Sequence, residues 1–401
     1  MHWAMNDSVT SVDGEAAGQP DHFMVAGNRL ELLTEGPQRL AALLALIDGA
    51  TSSLRLLYYI YTSDRSGQAV RDALMAALDR GVRVSLIVDG FGSYPNLEFF
   101  RPLEQKGASI CRFIPRIGRR FLLRNHQKLT LADDSRALVG GFNIEDDYFA
   151  DTDAPDAWRD LGLLVEGPAA RRLAGYFDAL SQWAHTPKAP MRDLRRALGR
   201  WSEHAGPIRW LMGGPTRKLS PWAQALKADA FAALRFDVIS GYFIPGPGML
   251  RRIGPKRRLG RSRTRIVTAA KSDNLSTIAA ARHTYRLLLD RGVEIYEFGA
   301  CKLHTKLIVI DNISYIGSAN LDMRSLYLNL EIMLRIDDAA FADHMRAYVD
   351  RECALSARVT PEEHRREGGW LARLRWGFAY FLLAVVDPRL TRRLNFGVEA
   401  E

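Results

Sequence analysis

One pattern occurs twice in this chain, and it restricts what the chain can fold into. Residues 125–133 read NHQKLTLAD and residues 303–311 read LHTKLIVID. Both fit His-x-Lys-x-x-x-x-Asp, giving His126, Lys128 and Asp133 in the first copy and His304, Lys306 and Asp311 in the second. Each copy is followed by a small-residue turn ending in asparagine: GGFN up to Asn143, and GSAN, with Ser318, up to Asn320. A carboxylate then leads into an apolar run. Asp160 stands 34 residues after His126, before LGLLV, and Glu331 stands 27 residues after His304, before IMLRI. A single copy is a weak signal, more often a surface strand with a solvated His and Lys. Two copies with turn and acid at similar offsets predict two similar halves of roughly 150–180 residues, within the usual domain size. They also predict one site assembled from two half-sites.

The residue types state the chemistry. Side chains alternate along a strand, so His126 and Lys128 share a face, as do His304 and Lys306. Imidazole beside ammonium makes a poor core and a good anion site. Lysine supplies a compact charge and the asparagine amide a neutral donor. The imidazole can act as nucleophile or proton donor near neutral pH. The later carboxylate can hydrogen-bond the far ring nitrogen, fixing the tautomer and raising basicity. Two such sets facing each other would hold a phosphate between two lysines and two asparagines, with one His to attack phosphorus and the other to protonate the leaving oxygen. Asp133 and Asp311 lie an odd number of residues beyond their His, which turns them away from the site and gives them a structural role.

With these residues in view, the doubled motif resembles the phospholipase D superfamily. GSANLDMRSLYLNLE (317–331), VDGFGS (88–93), RNHQK (124–128) and WRDLGLLVEGPA (158–169) resemble the bacterial cardiolipin synthases. The resemblance runs from about Asn28 to about Val359. It departs at the turn positions after Asp133 and Asp311, where Asp134 and Asn312 replace glycine, so altered turn geometry rather than lost chemistry is expected there. The resemblance implies a phosphatidyltransferase that joins two phosphatidylglycerol molecules into cardiolipin and releases glycerol through a phosphohistidine. It implies His126 as nucleophile and His304 as acid and base; the near-symmetric sequence itself leaves that order open. It further implies Lys128, Lys306, Asn143 and Asn320 as the phosphate ligands, with Ser318 placed to help where Gly141 cannot. Asp160 and Glu331 orient the imidazoles. No metal and no cofactor is expected, because lysine and asparagine do the charge work.

Strands alternating with helices predict an α/β layer with a mixed or largely parallel sheet in each half, the halves packed as a pseudo-twofold pair around the site. Expected helices are 37–46, 67–80, 169–183, 221–234, 275–289 and 339–349. Expected strands are 54–61, 82–88, 109–114, 128–131, 137–139, 161–165, 237–243, 265–269, 293–298 and 330–336. Residues 1–22 read as a disordered tail with neither signal peptide nor membrane anchor. Residues 23–186 form the first repeat, 187–217 a basic, Pro- and Gly-interrupted linker, 218–359 the second repeat and 360–401 a C-terminal segment. Cys111, Cys301 and Cys353 show neither metal spacing nor a disulfide framework, which points to a reducing compartment.

The formal net charge of +9 favours an anionic partner. Two basic stretches read as a rim for it: 112–124 (RFIPRIGRRFLLR), whose interleaved apolar residues Phe113, Ile114, Ile117, Phe121, Leu122 and Leu123 suggest lipid, and 251–265, with eight Arg or Lys in fifteen residues. Residues 376–386 (WGFAYFLLAVV) are apolar but too short to span a bilayer, which takes about twenty residues. Arginines flank them, and Trp370 and Trp376 suit a headgroup boundary. The expectation is an interfacial helix on an anionic membrane, hence a peripheral protein on the cytoplasmic face of a bacterial membrane. Phosphatidylglycerol is the expected substrate, nucleic acid is not an expected partner, and a monomer suffices. A hydrolase or transphosphatidylase using water, phosphatidylethanolamine or another alcohol would use the same residues. An endonuclease fits the charge but not the apolar stretches, and a non-catalytic scaffold would not need both motifs intact.

Overall fold

The computed structural model describes residues 22–93, 97–113, 123–186, 188–216, 219–231, 233–251, 253 and 262–386. The expected tail before His22, most of the loop ahead of Leu123 and much of the basic stretch after Arg251 lie outside the described residues.

The sheet of the first half holds eight strands in the order His22–Val25, Asn28–Leu33, Gly162–Glu166, Arg136–Gly140, Leu129–Ala132, Ser53–Tyr58, Arg83–Asp89, Ser109–Phe113. That of the second half runs Ile208–Gly213, Glu331–Asp337, Ile313–Gly317, Lys306–Ile310, Arg235–Ser240, Arg263–Ala269, Glu294–Phe298, Ser356–Val359. Seven consecutive strands correspond one for one, Asn28–Leu33 through Ser109–Phe113 in the first sheet and Ile208–Gly213 through Glu294–Phe298 in the second, with His22–Val25 and Ser356–Val359 as added edge strands. In each half the motif strand forms an antiparallel hairpin with the strand leading into the Asn turn, and pairs antiparallel on its other side with the first of three parallel strands. The mixed sheets and flanking helices are those the strand–helix alternation predicts. The motif strands read BBBB and BBBBB in burial, covered on both faces. One continuous core draws Leu129, Leu131 and Val139 from the first sheet and Leu307, Val309 and Ile316 from the second, so the two halves share an apolar seam.

Several elements go beyond the sequence reading. Helix Met191–Trp201 occupies the middle of residues 187–217; it buries Met191, Leu194 and Leu198, a helical spacing hidden among arginines. Helix Leu97–Gln105 carries an internal proline, Pro102. The helix expected over 221–234 ends at Asp229. The strand expected over 54–61 leaves its sheet after Tyr58, because Ile60 N–H donates to Asn143 Oδ1 and Tyr59 O accepts from Ser93 Oγ.

Two expectations about lipid contact change. Phe113 and Leu123, counted in a lipid-facing loop, are core residues. Trp376, expected at a headgroup boundary, is also buried and stacks on His364. Helix Trp370–Tyr380 and the π-helical turn Phe381–Val386 pack on helix Leu275–Leu289 through Ala379, Tyr380 and Ala384. Their outer face exposes Trp370, Leu371, Leu374, Phe378, Phe381 and Leu382. No single described helix is long and apolar enough to cross a membrane.

Asp133 and Asp311 face away from the site, each fastening the start of the neighbouring central strand. Asp133 accepts the backbone N–H groups of Thr51, Ser52 and Ser53 at 2.7–3.2 Å; Asp311 accepts those of Leu234 and Arg235. Both adopt positive φ, 51° and 47°, and Asp134 adds a second positive φ of 56°, a conformation glycine takes most readily. Asp133→Ala removes the acceptor of the backbone N–H groups of exposed Thr51 and Ser52 and of buried Ser53. We expect a loss of about 1–3 kcal/mol in denaturant unfolding, with activity per folded molecule unchanged.

Candidate active site

The two motif histidines do not lie in their own sheets. The strand of the second copy starts at Lys306, and His304 and Thr305 cross to the other half. His304 N–H and Thr305 N–H both donate to Arg159 O, and Lys302–Leu303 pairs in parallel with Trp158–Arg159. The first copy mirrors this: His126 N–H donates to Leu330 O, and Leu330 N–H to Arg124 O. The variable middle residue of each motif adds a side-chain bond across the seam, Gln127 Nε2 to Glu331 O and Thr305 Oγ1 to Arg159 O. Each histidine therefore runs beside the segment that carries the other half's carboxylate.

The imidazoles follow suit, and the pairing is crossed. His126 Nδ1 lies 3.1 and 3.2 Å from the Glu331 oxygens, and His304 Nδ1 lies 2.7 Å from Asp160 Oδ2. An ionised carboxylate can only accept, so Nδ1 carries the proton in both rings and Nε2 keeps its lone pair. The second oxygen of Asp160 accepts Leu161 N–H at 2.7 Å. A Cβ on Gly141 would meet Asp160 Oδ1 at 2.6 Å, so the residue matching Ser318 must lack a side chain here. In the other half Ser318 Oγ donates to Glu331 Oε2 at 2.5 Å and accepts Ile332 N–H. Its one proton is thus directed at Glu331, and in this arrangement Ser318 steadies the carboxylate.

Lys128 Nζ and Lys306 Nζ each donate one proton to the carbonyl of their own His, at 2.8 and 2.5 Å, leaving two protons apiece for an anion. Asn143 spends its Oδ1 on Ile60, whereas Asn320 Oδ1 is buried without a partner among the described residues. Sequence reasoning missed the surrounding aromatics. Tyr148 hydroxyl faces His304 Nε2 at 3.5 Å, and Tyr148 stacks on Trp158. Tyr59 packs on His126, and Lys128 Nζ sits 5.3 Å from the Tyr59 ring centroid. Arg39, fully buried, donates to the carbonyls of Asp160, Tyr148 and Thr34 and so fixes the Asp160 backbone. Arg159 binds Glu35 of its own half and buried Glu352 of the other. None of these contacts has a local signature.

Burial sets the electrostatics. It pushes Lys128 down to about 7 and Lys306 down to about 8, against the pull of Glu331 and Asp160. Burial, then the adjacent lysine, lowers His126 and drives His304 down to about 3, so both rings are neutral at rest. Burial works to raise Asp160, but Lys306 and His304 together hold it below the usual carboxylate range. The site is a buried, crowded set of bases awaiting a negative charge. An anion between the lysines restores their protons. Binding of inorganic phosphate at pH 8 should take up protons, read as a dependence of calorimetric heat on buffer ionisation enthalpy. The uptake should vanish in Lys128→Met/Lys306→Met.

Comparison with known proteins fits this geometry. The family described as "Cardiolipin synthase, PLD-like domain" matches residues 43–181 and 231–353. Cardiolipin synthase A of Edwardsiella ictaluri is 31% identical over 364 residues, covering 88% of this chain and 73% of that protein. Cardiolipin synthase A of Klebsiella pneumoniae subsp. pneumoniae is 32% identical over 374 residues with the same coverage. Among solved structures, phosphatidylserine synthase of Haemophilus influenzae Rd KW20 superposes with a TM-score of 0.66 at 13% identity, over 91% of this chain and 95% of that one. Polyphosphate kinase of Porphyromonas gingivalis gives 0.56 at 14% identity, over 88% and 53%. These two establish the fold, and the sequence relatives the family: the chain belongs to the PLD-like cardiolipin synthase family and is a phosphatidyltransferase of the phospholipase D superfamily.

Proposed function

We propose that the chain makes cardiolipin from two phosphatidylglycerol molecules through a phosphohistidine. The observation that carries this reading is the crossed site: two imidazoles, each with Nδ1–H on the opposite half's carboxylate, and two lysines with protons to spare. A phosphodiester anion bound between Lys128 and Lys306 opposes the burial and the lysine charge that keep His304 deprotonated, so His304 takes up a proton on Nε2. His126 Nε2 attacks phosphorus, the phosphorus–glycerol oxygen bond breaks, and His304 gives its proton to the leaving glycerol. Neutral His304 then removes the proton from a hydroxyl of a second phosphatidylglycerol. That oxygen attacks phosphorus, the phosphorus–nitrogen bond breaks, and His126 returns to its starting state. Asp160 and Glu331 stabilise the imidazolium forms.

The assignment of His126 as nucleophile draws on an asymmetry. His304 is the more deeply buried ring, and its Nε2 faces the Tyr148 hydroxyl, a neighbour suited to a proton-handling role. A substrate with a good leaving group needs no acid. With a p-nitrophenyl phosphodiester of diacylglycerol, His304→Ala should still release a stoichiometric burst of p-nitrophenol and retain an acid-labile phosphatidyl adduct. His126→Ala should give neither. The reverse pattern would exchange the roles. Labelled phosphatidylglycerol vesicles should yield labelled cardiolipin and glycerol with wild type; phosphatidic acid instead would make water the acceptor.

The membrane reading rests on the outer face of 370–386. Six exposed apolar side chains line it, beside exposed Arg365, Arg366, Arg373 and Arg375. Each arginine near an anionic surface adds about 1 kcal/mol. This supports a protein lying peripherally on the cytoplasmic face of a bacterial membrane. Leu374→Glu/Phe378→Glu should abolish cosedimentation with phosphatidylglycerol vesicles while leaving turnover of a water-soluble phosphodiester within twofold.

A further inference from the structure

The second half contains a cavity of about 890 Å³ that the chemistry above does not use. It falls within the range of about 300–1,000 Å³ usual for ligand sites. Its interior is apolar: Ala223, Phe236, Met249, Ile253, Met323 and Leu326 contribute to the lining. Its charged margin is mainly basic, with exposed Lys227 and Arg251 beside Arg291, against one lining acid among the described residues, Asp290. Phe231, 79% exposed, also lines it. An apolar interior under a basic margin fits an amphiphile with a long hydrocarbon and an anionic head.

Two connections tie the cavity to the rest of the molecule. Its wall includes helix Met323–Tyr327, which starts three residues after Asn320 and is capped by Asp322 through Ser325 N–H. Asp322 is close enough to Lys306 to act on its charge. The helix therefore has the phosphate ligands at its beginning and the cavity along its side. The wall also includes Gly246–Gly248. Tyr380 hydroxyl donates to Pro245 O at 2.9 Å, so the helix with the exposed apolar face is fastened to the loop that lines the cavity.

We propose that this cavity receives an acyl chain of the phospholipid substrate, with Lys227 and Arg251 drawing the anionic lipid to its mouth. The proposal rests on the phosphatidylglycerol reading for its source of lipid, and on the cavity, its margin and its two connections for its location. A van der Waals pocket for the chain would let the enzyme hold one tail while the phosphodiester reaches Lys306.

The test is photolabelling of the full chain on phosphatidylglycerol vesicles doped with phosphatidylglycerol carrying a diazirine near the acyl terminus. Peptides from 219–236, 246–253 and 323–327 should carry the label. Ala230→Trp, which narrows the cavity, and Lys227→Glu should each lower it at least fivefold, with unchanged thermal melting as the folding control. Labelling confined to 370–386 would overturn the proposal. So would labelling by a free diazirine fatty acid but not by the phospholipid, or a cavity that labels only after removal of residues 387–401, which would assign it to the chain's own tail. The two readings separate cleanly. A labelled cavity without cardiolipin formation keeps the lipid pocket and defeats the synthase reading. Cardiolipin formation with an unlabelled cavity defeats the pocket alone.

Discussion

Each imidazole of this site is held by a carboxylate from the other half of the chain, and that exchange organises the molecule. To bring His126 to Glu331 and His304 to Asp160, both motif segments leave their own sheets and run against the opposite half. The short cross-seam ladders, the side-chain bonds from Gln127 and Thr305, and the buried Arg159–Glu352 pair all serve the same contact. The shared apolar core supplies the bulk of the attraction, since burying apolar surface is the dominant favourable term in such packing. The polar contacts supply register. A shift of one half against the other by a single residue would separate both His–carboxylate pairs at once.

The same geometry explains the charge state. Two lysines, two histidines and two carboxylates buried together cannot all be ionised without cost. The arrangement resolves this by keeping both carboxylates paired, both imidazoles neutral and both lysines easily deprotonated. A phosphodiester then enters as the missing negative charge, and its arrival reprotonates the groups that the reaction needs. Preorganised charge of this kind acts most strongly where water is excluded. The halves are not equivalent in detail: Ser318 steadies Glu331, whereas Gly141 leaves room for Asp160, and Tyr148 stands over His304 while Tyr59 stands over His126. A symmetric scaffold thus gives its two histidines different surroundings.

Much of this was legible in the chain because the repeat doubles every signal. Most strands of both sheets follow from apolar runs and turns, although Asn28–Leu33, an inner strand of the first sheet, lies outside the expected strands, and the outward facing of Asp133 and Asp311 follows from strand parity. Other features escaped. Helix Met191–Trp201 sits in a Pro-flanked basic stretch whose punctuation outweighed its three apolar residues. The crossed pairing cannot be read from spacing, because each His is nearest its own half's carboxylate, 34 residues for His126 to Asp160 and 27 for His304 to Glu331, against 205 and 144 for the pairs that form; only the packing of the halves selects the partner. The aromatic and arginine surroundings meet the site through contacts remote in sequence: Arg39 reaches the Asp160 carbonyl across 121 residues, Tyr148 reaches His304 across 156, and Arg159, although it sits within WRDLGLLVEGPA, binds Glu352 across 193; Tyr59 packs on His126 from just beyond the strand Ser53–Tyr58. Trp376 shows the converse: its flanking arginines read as a membrane boundary, yet the helix turns that face inward and presents other residues to solvent.

Histidine-selective ¹⁵N NMR tests the central claim most directly, because an Nδ1–H hydrogen-bonded to a carboxylate has a distinctive proton and nitrogen shift. The account predicts that Asp160→Asn moves the Nδ1–H signal of His304 and leaves that of His126 in place, and that Glu331→Gln does the reverse. Should Asp160→Asn instead shift His126, the pairing would lie within each half, and the crossed site described above would be wrong.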